Sequence, residues 1–116
     1  MTRRGDIVWV DLDPAKRSEA AKRRPAVVVS NDGANRMAQQ LGRGVITVVP
    51  MTSNTKHVYP FQVLLPGRQC KLAKTSKAQA EQIRSVSIER ISGQAGRLPA
   101  AVLAQLDDAI RLHLSI

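Results

Sequence analysis

Four short β-branched runs, each cut off by proline, glycine or an Asn-Asp-Gly cluster, limit what this chain can fold into. Ile7 to Leu12 stops at Asp13-Pro14, and Ala26 to Val29 lies between Pro25 and Asn31-Asp32-Gly33. Val45 to Met51 contains Pro50 near its end, and Phe61 to Leu65 runs into Pro66-Gly67. Runs of this length and composition are strands, and the breakers between them leave room for turns but for few helices. In the first run Val8, Val10 and Leu12 share one face and Ile7, Trp9 and Asp11 the other, the pattern of a half-buried strand. Phe61, Val63 and Leu65 likewise share a face. Residues 34–41 could form one or two helical turns before Gly42 and Gly44. A clearer helix closes the chain: Val102, Leu103, Leu106, Ala109, Ile110 and His113 fall at helical spacing behind Pro99. Several strands and a terminal amphipathic helix predict an α+β, mainly β domain of barrel or sandwich type. Residues 1–116 are read as one domain, since no repeat or linker-like stretch interrupts them. The segment KAQAEQIRSV is ambiguous; its Ala, Gln and Glu content leans to helix, although Ile83 and Val86 alone make no apolar stripe.

Charge narrows the partner. Eighteen Lys and Arg stand against nine Asp and Glu, a net charge of +9. The excess lies in the first two thirds, because residues 81–116 carry four basic and four acidic groups. A one-sided positive field concentrates polyanions, which makes nucleic acid the leading partner class; a solvated basic loop at Lys16, Arg17, Lys22, Arg23 and Arg24 is the alternative. One cysteine, Cys70, allows no intrachain disulfide and fits a reducing compartment. The N-terminal apolar stretch is too short for a secretion signal or a membrane span, so a cytoplasmic protein without membrane contact is expected.

Counting excludes many sites. There is no phosphate-binding Gly-Lys-Ser loop and no His-Glu-x-x-His, and His57 and His113 are the only histidines. His113 falls on the apolar side of the last helix, whereas His57 could be a loop residue or an RNA contact. Scattered acidic residues predict no metal and no cofactor. What remains is Arg24, directly before Pro25 at the mouth of a strand, and Thr52 with Ser53 and Asn54 at the end of another. An arginine fork and a hydroxyl held at strand ends suit a phosphodiester. On spacing alone, a surface ion pair for Arg24 and a plain strand end at Thr52 are the favoured reading.

The motifs RGDIVWVDLDP, RSEAAKRRPAVVVSND, GVITVVPMTSN with VYPFQVLL, and AEQIRSV resemble, in order and over nearly the whole chain, those of the MazF/PemK family of bacterial toxin endoribonucleases. The resemblance implies a CcdB/MazF-like, SH3-like barrel of antiparallel strands, a homodimer, and metal-independent cleavage of single-stranded RNA that arrests growth. It also implies an antitoxin presenting an acidic, disordered segment, and a strand over residues 78–86. By the same resemblance Arg24 and Thr52 are catalytic, with Glu19 the candidate proton acceptor. Ser18, Asn31, Asp32, Ser53, Asn54, Gln82 and Arg84 are expected to bind substrate. A CcdB-like, non-catalytic toxin that binds DNA gyrase is the rival reading, because fold alone does not separate the two.

Overall fold

The computed structural model describes residues 2–12 and 23–116. In chain order it contains β1 (Asp6–Asp11), β2 (Arg23–Val28), α1 (Asp32–Leu41), β3 (Val45–Thr52), β4 (Gln62–Leu65), β5 (Ser76–Gln79), β6 (Arg84–Ser87), β7 (Ile91–Arg97) and α2 (Ala100–Leu114), with single 3-10 turns at Ala80–Gln82 and Ile88–Arg90. All strand pairs are antiparallel, following the path β4-β5-β3-β2-β1-β7 with β6 also on β3. The mainly β, α+β class with a C-terminal helix agrees with expectation. Among the described residues the pairing does not run on from β4 to β7, so the sheet is not closed into a barrel.

β1, β2 and β3 form the middle of the sheet and are buried on both faces. Successive residues of these strands therefore enter different cores. Ile7, Val27, Val49 and Met51 join Val63, Leu65, Val102 and Leu106 beneath α2. Val8, Val10, Ala26, Val28 and Val48 join Ala38, Ile46 and Val86 on the α1 side. This corrects the half-buried reading of the first strand: Ile7 is as fully enclosed as Val10. Two-sided burial explains why the runs are nearly continuous in valine. Full burial of Val102 and Leu106 contributes about 1.5–3 kcal/mol each toward holding α2 on the sheet.

The helices are punctuated by their own sequence. Asn31 caps α1, its side-chain oxygen accepting from the Ala34 N–H at 2.8 Å, and Gly42 ends it in the left-handed region at φ 65°. Pro99 precedes the first turn of α2.

The ambiguous segment resolves against helical propensity. Residues 76–79 and 84–87 are β5 and β6, both on β3, and only Ala80–Gln82 between them curls into a 3-10 turn. The register on β3 slips across that turn, so an interrupted strand stands where propensity leans to helix, in line with the strand over residues 78–86 that the resemblance implied. Tertiary pairing overrides propensity here, because β3 presents an open ladder edge. No helix among the described residues is long and apolar enough to cross a membrane.

Candidate active site

The site arises where β3 changes partners. Val48 and Val49 pair with β2, and that pairing ends at Ala26 and Pro50, whereas Met51 and Thr52 pair with β5. β1 and β2 meanwhile stay together out to Asp11 and Arg23. Pro25 and Pro50 sit at the parting point, and neither has an N–H to extend a ladder. The strands diverge, and a cavity of about 600 Å³ opens between Arg24 and Pro25 on one side and Met51, Thr52 and Ser53 on the other. Trp9, Leu72 and Gln94 are among its other walls.

Arg24 lies inside β2 as its second residue, not at the strand's mouth as its place before Pro25 implied. The parting of the strands brings it to the same opening as Thr52: Arg24 from β2 and Thr52 from β3 both line the cavity. Both are half-buried. Thr52 Oγ1 accepts from the Asn54 N–H at 3.2 Å, a local turn that fixes the oxygen and leaves the hydroxyl proton to be donated elsewhere. The neighbouring Arg23 does different work: its guanidinium lies 4.6 Å from the Trp9 ring centroid, and its Nε donates to Ser92 Oγ at 3.2 Å.

The other expected residues are spread more widely. Ser53 lines the cavity and is exposed. Asn54 is exposed, and its Oδ1 accepts from the Lys56 N–H at 3.3 Å. Asn31 caps α1, and Asp32 Oδ1 accepts from the Arg4 N–H at 2.7 Å and from Asn35 Nδ2 at 3.3 Å. That backbone N–H of Arg4, chiefly, holds the Asp32 carboxyl below its ordinary range. Gln82 ends the 3-10 turn after β5, and Arg84 opens β6 opposite Val48; both are half-buried. None of Asn31, Asp32, Asn54, Gln82 and Arg84 lines the cavity. Ser18 and Glu19, with the basic stretch around them, lie outside the described residues.

Trp9, Leu72, Lys74 and Gln94 also line the cavity without having been singled out. Trp9 carried one legible signal, the sole tryptophan on a strand facing an arginine-rich segment. Gln94 carried none, because ISGQAGR lacks the alternation that marks a strand, yet it forms the whole of β7. Among the described residues no three His, Cys, Asp or Glu side chains cluster as a metal would require. His57 and His113 are exposed, so the apolar-side placement of His113 ends at the helix's last, solvated turn. Cys70 is buried, and desolvation pushes its thiol pKa up, which disfavours a reactive thiolate.

With that geometry in place, comparison with known proteins adds an independent line. The family described as PemK-like, MazF-like toxin of type II toxin-antitoxin system matches residues 3–114. Endoribonuclease MazF9 of Mycobacterium tuberculosis is 62% identical over 116 residues, which is all of this chain and 98% of that protein. The crystal structure of MazF from Deinococcus radiodurans superposes with a TM-score of 0.81 at 30% identity, covering 99% of this chain and 97% of that one. A MazE-MazF structure from the same organism gives a TM-score of 0.73 at 27% identity, covering 99% and 96%.

Proposed function

The chain belongs to the PemK-like, MazF-like family of type II toxin-antitoxin toxins, and from that premise we propose that it is an endoribonuclease that cuts single-stranded RNA without a metal ion. The observation that carries the reading is that Arg24 and Thr52, from different strands, line one cavity. A phosphodiester seated there would receive charge and two hydrogen bonds from the guanidinium and one more from the Thr52 hydroxyl.

The reaction is an in-line transfer. The ribose 2′-oxygen forms a bond to phosphorus, the bond from phosphorus to the 5′-oxygen breaks, and a 2′,3′-cyclic phosphate and a free 5′-hydroxyl result. The 2′-hydroxyl proton passes to Glu19, and the leaving 5′-oxygen takes a proton from the Arg24 guanidinium, which recovers it from water as the product leaves. Arg24 and Thr52 serve the transition state, where the non-bridging oxygens gain charge; donors already held by strands need no reorganisation at that moment. DNA, lacking the 2′-hydroxyl, is not cut. Ser18, Ser53, Asn54, Gln82, Arg84, Asn31 and Asp32 are assigned to the flanking nucleotides. The position of Asn31, Asp32, Asn54, Gln82 and Arg84 outside the cavity suits an extended strand better than a single nucleotide.

Residues 1–116 act in this reading as one cytoplasmic toxin domain, working as a homodimer. Its antitoxin would place an acidic, otherwise disordered segment over the same donors and so compete with RNA. The gyrase-binding alternative is not favoured, because the relative that matches the entire chain at 62% identity is named an endoribonuclease.

The test is cleavage of a defined transcript in the presence of EDTA. Wild type should leave 2′,3′-cyclic ends, and Arg24→Ala and Thr52→Val should each lose on the order of 10²-fold or more in kcat while remaining folded. Wild-type rates in both variants would refute the assignment.

A further inference from the structure

A second group of side chains stands beside Thr52 and has no part in the chemistry above. Lys77 of β5 lies opposite Thr52 on one side and Leu64 on the other, so all three share a face. Lys77 is only 8% exposed, rare for a lysine. Its Nζ donates to the His57 carbonyl oxygen and lies 5.7 Å from the centroid of the Tyr59 ring. The Tyr59 N–H donates to Gln62 Oε1 at 3.2 Å, and Gln62 Nε2 donates to Glu81 Oε2 at 2.6 Å. The segment that leaves the site after Thr52 is thus tied down at residues 57 and 59.

What it carries is a row of rings. His57 and Tyr59 have centroids 6.3 Å apart, Tyr59 and Phe61 are stacked at 5.6 Å with planes 4° apart, and Phe61 and His113 are 6.3 Å apart. Tyr59 is 51% exposed and His57 is exposed, so the end of the row nearer Thr52 in sequence is open to solvent instead of serving a core. Along the chain, residues 44–80 hold five basic groups and no acidic one, and one of them, Lys77, stands by the Tyr59 ring. Rings open to water with a cation beside them suit a ligand with flat faces and negative charge, which is an unpaired nucleotide and not an apolar peptide.

We propose that the His57–Tyr59 end of this row is a stacking subsite for an unpaired RNA base adjacent to the phosphate at Arg24 and Thr52, and that Lys77 is the positioning residue that fixes it. The proposal rests on the ribonuclease reading above. Lys77 acts here through the segment it anchors, because a lysine bonded to the His57 carbonyl has its charge directed at that loop.

The experiment uses an oligoribonucleotide with one cleavage site and a series in which each flanking nucleotide in turn is abasic. Tyr59→Leu should raise KM roughly 5- to 150-fold, the range for one lost stacked base. Wild type should show the same loss on one abasic substrate, and Tyr59→Leu should lose nothing further there. Lys77→Met should raise KM with kcat within about twofold, and Lys77→Arg should recover part of it. A 2-aminopurine at that position should be quenched on binding wild type and not on binding Tyr59→Leu. Unchanged KM in Tyr59→Leu, or an equal loss on the intact and every abasic substrate, overturns the proposal. Wild type failing to cut any of these RNAs would instead overturn the ribonuclease reading, so the two failures are distinguishable.

Discussion

Gly96 in β7 is the position where one methyl group should do the most damage. A Cβ there would lie 2.4 Å from the Cys70 carbonyl oxygen, 3.2 Å from Leu72 Cδ2 and 3.4 Å from Ile7 Cδ1. The last contact is ordinary and the second can yield, but the first is backbone and must retreat by roughly 1 Å to reach normal separation. That oxygen accepts from the Arg97 N–H at 3.1 Å, and Cys70 is fully buried, so water cannot replace a lost partner. Overpacking costs about 1–3 kcal/mol, and an orphaned buried backbone group about 1–3 kcal/mol. Gly96→Ala should therefore destabilise by about 2–6 kcal/mol, a fall in Tm of about 8–24 °C for a chain of this size. Urea and thermal unfolding followed through Trp9 fluorescence, at fixed protein concentration, measure it. Leu72→Ala in the same chain should restore little, since it relieves only the 3.2 Å contact. A loss below about 0.5 kcal/mol, or full rescue by Leu72→Ala, would refute the steric reasoning. Because Leu72 also walls the cavity, activity in the folded fraction should fall as well.

Other expectations follow from charge and burial. Asp32 has its pKa lowered from 3.8, chiefly by the Arg4 N–H, so its contribution to stability is present above about pH 4 and is lost as pH falls through the lower folded value. Asp32→Asn should flatten that part of a stability titration, and an unchanged acid limb would contradict it. The raised pKa of Cys70 means that native protein should be inert to a thiol-specific disulfide reagent near pH 8 and react stoichiometrically in urea; rapid native labelling would show the burial to be wrong. RNA affinity should fall with added salt with a log-log slope of about −0.7 per phosphate contacted, and Arg24→Ala should make that slope shallower by about one contact. Affinity independent of salt would sink a phosphate-led site.

Much of the fold can be read from local patterns, and its failures have a common cause. The four apolar strand runs and the C-terminal helix are legible because burial imposes a pattern on each, whereas α1, expected as one or two turns over residues 34–41, is a full helix over Asp32–Leu41. β5, β6 and β7 are not, since SKAQ, RSVS and ISGQAGR take their extended form from the edges of β3 and β1 more than from their own composition. The same dependence hid Lys77. In sequence it is one of several lysines in a polar stretch; only pairing with Thr52 and Leu64 encloses it beneath the Tyr59 ring.

Residue order alone determined the class of fold, the positive field and the two side chains suited to a phosphate, because alternation, net charge and donor chemistry are properties of a segment by itself. Tertiary structure decided that Arg24 and Thr52 line one opening, that Trp9 and Gln94 wall it, and that four rings form a row from His57 to His113. Those are facts of register. The parting of β2 and β3 at two prolines exists only once the strands have chosen their neighbours.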